Sequence, residues 1–339
     1  MSLKVKKSVL TYSLFALMVL FLTAAIAVRD VSVGTDTQTY TNAFLVGASC
    51  KCFGSHEIGF EAFLYPMYLL SFSPELIFFV ISLLVFILSF FISKKLIDYF
   101  SLGFQYEVNY KYYITVFSVF IMVPIVIQVH INAIRQGISA LFLLISFLYI
   151  LEKSKKKSFF YLIVSVSFHY SALLIIPFYI LFLYTRIKIG IVFLFSVFLF
   201  SILSLIYVLG FSEEVVKYFS NLLHLPVWEA VKTYGEGSSY KIGVRHDFYI
   251  FTLLLLLPVF FISLYNEKIK IYFIFLVVST IPFLLLGWGA YSNRYLFNVW
   301  IYIPLGVLAF LVLSFKRVNS FYFIFIILAI VLNLFYIKV

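Results

Sequence analysis

ELIFFVISLLVFILSFFISKK, residues 75–95, decides the fold. From Glu75 to Ser93 it carries no charge after its first residue, and Lys94 and Lys95 close it. As a helix rising 1.5 Å per residue it is about 28 Å long, the thickness of a ~30 Å hydrocarbon core. Comparable apolar runs recur over Ser8–Val28, Tyr112–Val129, Asn132–Leu151, Ile189–Gly210, Phe248–Tyr265, Ile271–Gly289, Tyr295–Ser314 and Phe321–Ile337. The pattern predicts an all-α, polytopic integral membrane protein of about 10–12 membrane helices, short or re-entrant segments included. Residues 1–339 read as one transmembrane domain. Composition agrees: 64% hydrophobic, 12% charged, mean hydropathy +1.10, far from a soluble domain.

The net charge of +11 sits between the apolar runs. It reads as lysines orienting the chain, not as a nucleic-acid surface. No P-loop, GxGxxG or HExxH occurs. Cys50 and Cys52 form a CxC whose spacing suits neither a zinc site nor an unstrained disulfide, so they read as two incidental thiols.

Charge gives a path through the membrane. Lys4, Lys6 and Lys7 precede the first run; Ala25-x-Ala27 is faintly like a signal-peptidase site, but the run is too long for a leader and is read as an uncleaved span. The chain then emerges outside at Arg29. Residues 29–61 form a first outer loop, and Phe60–Leu70, broken by Pro66, reads as an interfacial or re-entrant helix. Phe159–Tyr184 is too long for one upright span, at about 39 Å. His169-Tyr170-Ser171 interrupts it, and an isolated polar patch facing lipid is costly. Two half-helices meeting near His169 fit better. That hairpin places Arg186 with Lys188, Lys268 with Lys270, and Lys316 with Arg317 inside, and a second outer loop at 211–247. A single span would leave the balance of basic residues unchanged but put those compact clusters in short outer loops, against the orientation rule.

Of the 25 basic residues only six are arginine. Four of these, Arg29, Arg135, Arg245 and Arg294, border apolar runs on the predicted outer side. A planar, always-charged fork binds phosphate or carboxylate in a way lysine does not. Arg135 and Gln136 open a long span, where polar side chains are expensive unless they meet a wet cavity, a ligand or the interface. Arg29 precedes Gly34, Asp36 and Tyr40, with Thr35 or Asp36 placed to cap a helix beginning near Thr37. Glu57 and Glu61 share a face if helical, and their repulsion would raise one pKa. His169 is the membrane-embedded histidine of this reading. Arg245-His246-Asp247 ends the second loop, and Asn293-Arg294-Tyr295 lies between two spans.

Five motifs occur in order: R-x4-G-x-D-x3-Y at Arg29, Gly34, Asp36 and Tyr40; E-x-G-F at Glu57–Phe60; I-R-Q-G-I-S-A at Ile134–Ala140; H-x-S-A at His169–Ala172; and N-R-Y at Asn293–Tyr295. Together they resemble the EpsG-like family of bacterial polysaccharide polymerases, a Wzy-type group. The stretch from Ile189 to Asp247 carries none of the resemblance. It implies a GT-C-like helical bundle in the bacterial inner membrane, with its active site facing the periplasm or outside. It implies an inverting glycosyltransferase that joins undecaprenyl-diphosphate-linked oligosaccharide repeat units, as in O-antigen or capsule synthesis, with no metal and no cofactor. Its partners would be the bilayer, a chain-length regulator and a flippase, and no nucleic acid. Arg135 and Arg294 are then the first candidates for the diphosphate, with Arg29, Tyr40, Gln136 and Asn293 as further substrate contacts; Arg245 joins them on its location alone, outside the resemblance. Asp36, Glu57 and His169 are unranked candidates for the group that takes the acceptor hydroxyl proton. The rival readings are a metal-dependent GT-C transferase using polyprenyl-phosphate sugars, a lipid-linked oligosaccharide flippase, which would show repeated halves, and an O-acyltransferase.

Overall fold

The computed structural model describes residues 7–34, 36–54, 56–101, 108–177, 179–180, 188–233, 241–315 and 321–338. The expected cap at Thr35, the basic residues Lys4, Lys6, Arg186, Lys316 and Arg317, and residues 234–240 of the second loop lie outside these. Among the described residues the chain is helical and has no strand.

The helices are α1 (Lys7–Ala27), α2 (Thr37–Cys50), α3 (Ile58–Leu69), α4 (Pro74–Ser101), α5 (Tyr110–Phe120), α6 (Pro124–Ile131), α7 (Ile134–Leu151) and α8 (Lys155–Phe168), then a 3-10 turn (Tyr170–Ile175). There follow α9 (Ile189–Val208), α10 (Ser212–Leu222), α11 (Val227–Thr233), α12 (His246–Tyr265), α13 (Glu267–Leu286), α14 (Ser292–Ser314) and α15 (Tyr322–Lys338). Among the described residues seven helices can cross a membrane by length and composition (α1, α4, α7, α9, α12, α13 and α14), or eight if α5 and α6 count as one broken span. The stretches expected as outer loops are partly helical: 29–61 holds α2 and the start of α3, and 211–247 holds α10 and α11.

Chain contacts divide the protein into two compact units, Met1–Ala172 with Pro304–Val339, and Leu173–Ile303. In the first, α4 packs against α1, α5, α6 and α7, and α7 is the most buried of that unit's candidate spans. α7 and α8 run antiparallel, with Ser139 beside Ser165 and Ser146 beside Ser158. The Ser139 and Ser165 hydroxyls each donate to the other's carbonyl at 2.8 Å. Both pairs are spaced by seven residues, two helical turns, so they share one face, and small side chains there let the backbones approach. Within the second unit α13 is the buried centre, packed by α9, α10 and α12. There Trp300 donates to the Thr252 hydroxyl at 2.9 Å and Tyr272 to the Tyr302 carbonyl at 2.6 Å. An apolar cavity of about 490 Å³ lies against α10, lined among others by Val216, Phe219, Ile281 and Leu286.

Two expectations change. Tyr112–Val129 is not one straight span: α5 stops at Phe120 and α6 starts at Pro124, bent by 73°. Pro124 sits at the first position of α6, where its missing N–H costs nothing. The carbonyls at the end of α5 need a donor in an apolar surrounding. Buried Asn333 of α15 donates to the Ile121 carbonyl at 3.0 Å. Cys50 and Cys52 are disulfide-bonded, with Cα atoms 5.2 Å apart. Lys51 between them takes a left-handed conformation, φ 51°, as the C-cap of α2, and this folds the chain back far enough for the bridge.

Removing the Asn333 amide leaves the Ile121 carbonyl buried without that donor. Asn333→Leu is expected to cost about 1–3 kcal/mol, read as a lower thermal unfolding midpoint of the detergent-solubilised protein at unchanged helix content.

Candidate active site

Four elements of the first unit bring polar side chains to one place. Arg135 stands in the first turn of α7, Glu57 caps the start of α3, Tyr40 lies on the buried face of α2, and His169 follows the last turn of α8. Arg135 Nη1 donates to Glu57 Oε2 in an ion pair, and its Nε donates to the Tyr40 hydroxyl at 3.2 Å. Glu57 Oε1 lies 4.0 Å from His169 Nε2. His169 Nδ1 accepts from the Ser171 amide at 3.1 Å, so neutral His169 carries its proton on Nε2, toward Glu57. Glu57 is 8% exposed, whereas the side chains of Arg135 and His169 are 27% and 22% exposed. The carboxylate is therefore enclosed while its two partners reach the surface.

Local sequence explains the convergence. A Cβ on Gly59 would run into Ser167, so the glycine of the E-x-G-F motif lets α3 close on the last turn of α8 beside His169. Gly34 has φ +85°, a conformation side chains rarely adopt, and a Cβ there would strike Ile131 and Asn132. The Arg29–Tyr40 segment thus folds tightly over the α6–α7 junction. The break predicted at His169 is present, since its backbone is extended, φ −161° and ψ 126°. The Ser139 hydroxyl donates to the His169 carbonyl at 3.5 Å. His169 is therefore level with the first turns of α7, not with its middle.

Burial is the main influence on Tyr40 and His56. It pushes the Tyr40 hydroxyl up, against the opposing pull of Arg135. It pulls half-buried His56 down, reinforced by Arg135 and opposed by Glu61 and Glu57. His56 packs its ring on Tyr40 and Phe60, at 5.8 and 5.7 Å between centroids. Among the described residues no three His, Cys, Asp or Glu side chains converge as a metal site.

The EpsG family model matches residues 12–339, nearly the whole chain. The chain belongs to the EpsG family. EpsG is a Wzy-like polysaccharide polymerase family, and this member has a polysaccharide polymerase-like role and several apolar helices of a multi-pass membrane protein. No curated protein and no solved structure matches it.

The other predicted residues of this EpsG member lie as follows. Asp36 is the N-cap of α2 with no side-chain capping bond, and its charge reaches Tyr40. Gln136 is buried beside Arg135. Arg29 faces inward, bonded to the Ile26 carbonyl at 2.8 Å and Thr37 at 3.3 Å, with its guanidinium 4.2 Å from the Phe78 ring. Burial lowers its pKa to about 10, so it stays charged at neutral pH. In the second unit, Arg245 spends Nε and Nη2 on Asp247, at 2.9 and 2.6 Å, and stacks on Phe248. Arg294 lies 4.5 Å from the Tyr291 ring, and Asn293 is exposed.

Two readings are corrected. Glu57 and Glu61 do not form a repelling pair, because α3 starts at Ile58 and leaves Glu57 outside its first turn. Glu61 instead accepts from the amides of Gly54 and His56, at 2.9 and 3.2 Å. His169 is not alone among embedded histidines: His130 is 1% exposed, against Phe86 at 4.6 Å. The signal for His130, a lone histidine in an apolar run, was the one that drew attention to His169. His56 was visible only as a neighbour of Glu57.

The lowered His56 pKa fixes the sign of one pH effect. The unfolded chain binds the proton first, so this contribution to stability is full above the ordinary histidine value of about 6.5 and is lost as pH falls through the lower folded value. The wild-type unfolding midpoint should decline below that pH, and His56→Gln should flatten the decline in the same thermal scan.

Proposed function

We propose that this protein joins oligosaccharide repeat units carried on undecaprenyl diphosphate, at the outer face of the bacterial cytoplasmic membrane. The observation that carries the reading is the Tyr40–Arg135–Glu57–His169 cluster at one end of α7, with lysines at the other. Arg135 opens α7, and Lys153, Lys155, Lys156 and Lys157 follow its far end, about 27 Å away along an 18-residue helix. Near that far end Lys95 pairs with Glu152 at 2.6 Å and lies 4.0 Å from the Tyr149 ring. Lysine clusters favour the cytoplasmic side, which supports an outer position for the opposite end of α7 and its cluster. The exposed Cys50–Cys52 disulfide, on the α2 side of the cluster, fits an oxidising compartment.

The donor is the growing chain on its diphosphate carrier, and the acceptor is the non-reducing end of the next lipid-linked unit. The acceptor hydroxyl attacks C1 opposite the departing diphosphate and inverts that carbon. Negative charge grows on the leaving phosphate, where a preorganised guanidinium in a partly dry site is most effective. Arg135 fills that role. Its Nε and Nη1 are held by Tyr40 and Glu57, which fixes the plane of the guanidinium. Glu57 takes the hydroxyl proton: His169 presents an N–H rather than a lone pair, and the Glu57 carboxylate is the acceptor within reach. As the diphosphate claims the guanidinium, the Glu57 carboxylate loses its ion-pair partner and is left to accept the hydroxyl proton. The His169 N–H steadies the carboxylate throughout.

A lysine cannot bridge Tyr40, Glu57 and a phosphate from one planar group. Arg135→Lys is expected to abolish polymer while the protein still reaches the membrane, leaving single repeat units on a gel of surface polysaccharide. A normal ladder in this variant would sink the assignment. Orientation has its own check: after mild reduction of intact cells, a membrane-impermeant maleimide should label Cys50 and Cys52. Labelling only after lysis would reverse the proposed orientation.

A further inference from the structure

The Glu61 carboxylate has a place that the chemistry above does not use. It is 1% exposed, one turn into α3, and turns back over the start of that helix to accept the amides of Gly54 and His56. Those amides belong to the strap that runs from the Cys50–Cys52 bridge to Glu57. The strap is tied at both ends, by the disulfide to α2 and by the Glu57–Arg135 ion pair to α7. Phe53, stacked on Tyr65 at 4.8 Å, adds an apolar contact near its beginning. Between these ties Glu61 holds the backbone just before Glu57. A carboxylate receiving two amides satisfies donors that burial would otherwise leave costly, and it fixes the direction in which the chain enters Glu57. Gly54 is shaped to this contact: a Cβ there would lie 2.6 Å from Glu61 Oε1, although its backbone is not left-handed.

We propose that Glu61 is a positioning residue: its carboxylate holds the amides of Gly54 and His56 and so sets Glu57 and His56 against Arg135 and Tyr40. Glu61 touches no reacting atom. It acts through Glu57, and the inference rests on the polymerase reading for its consequence though not for its geometry. An error of about 1 Å in placing a reacting group costs on the order of a hundredfold in rate. The clamp is therefore worth far more to turnover than to folding. Glu61 and Gly54 form one contact from two sides, so removing it twice costs no more than removing it once.

The test uses the full chain purified in detergent, as wild type, E61A, E61Q, G54A and the G54A/E61A double variant. Two quantities are read, hydrogen exchange of the 51–57 peptide and polymerisation of a lipid-linked repeat unit. E61A should speed exchange of that peptide about tenfold or more while α7 peptides stay unchanged, and lower kcat by a similar factor with KM within about twofold. E61Q, which keeps one acceptor oxygen, should fall between wild type and E61A. G54A should resemble E61A, and the double variant should be no worse than either. Unchanged exchange in E61A, or losses that add in the double variant, would overturn the clamp. Faster exchange with intact kcat would overturn the positioning role. If wild type makes no polymer the polymerase reading falls, and the exchange of the double variant still decides the clamp.

Discussion

The ion pair between Arg135 and Glu57 is the constraint around which the first unit is arranged. Arg135 lies in the first turn of a helix whose window is otherwise deep in the protein, and Glu57 is nearly sealed. The Glu57 charge is not tolerable alone in such a place, because an unpaired buried charge costs several kcal/mol. The pair can form only if α3 starts where it does, α2 brings Tyr40 beneath the guanidinium, and α8 stops in time to leave His169 at the same level. The two serine contacts between α7 and α8 fix that level. This differs in kind from the Lys95–Glu152 pair at the other end of α7, where Glu152 is 46% exposed and screening leaves little energy. One pair organises a site; the other trims a surface.

The same logic separates the arginines. Arg29 is satisfied by a carbonyl, a hydroxyl and an aromatic face, and it ties the end of α1 to the starts of α2 and α4. Arg245 is satisfied by a neighbouring carboxylate two residues on. Arg135 alone of these three shares its fork between a carboxylate and a phenol brought from other helices, with its side chain still partly exposed. A guanidinium held that way is oriented before any anion arrives, which lowers the cost of using it.

Much of the fold was legible because it follows from the solvent. A bilayer demands long apolar helices, and lysines mark their cytoplasmic ends, so the spans and the break near His169 could be read from local composition. The cluster was legible in its members, Tyr40, Glu57, Arg135 and His169, because polar groups beside apolar runs stand out. What composition hid were choices among backbone paths. The bend at Ile121–Pro124 depends on Asn333, more than two hundred residues away. The disulfide depends on the left-handed turn at Lys51. That Glu57 meets a guanidinium and Glu61 two backbone amides depends on where the first turn of α3 begins. His130 carries the same local signal as His169, a lone histidine in an apolar run, and only packing tells the two apart.

The amino-acid sequence by itself determined the class of the protein, its membrane helices, its family and the roster of unusual polar residues, since each rests on composition or on spacing along the chain. Which of those residues meet, and how each is held, only the tertiary structure decided. Contacts between Tyr40, Glu57, Arg135 and His169 span as many as 95 positions between bonded partners, and their geometry is set by how closely helix backbones approach, as at Gly59 against Ser167 and at the paired serines of α7 and α8. Hydrogen bonds and ion pairs change greatly over an ångström, and no local pattern carries that information.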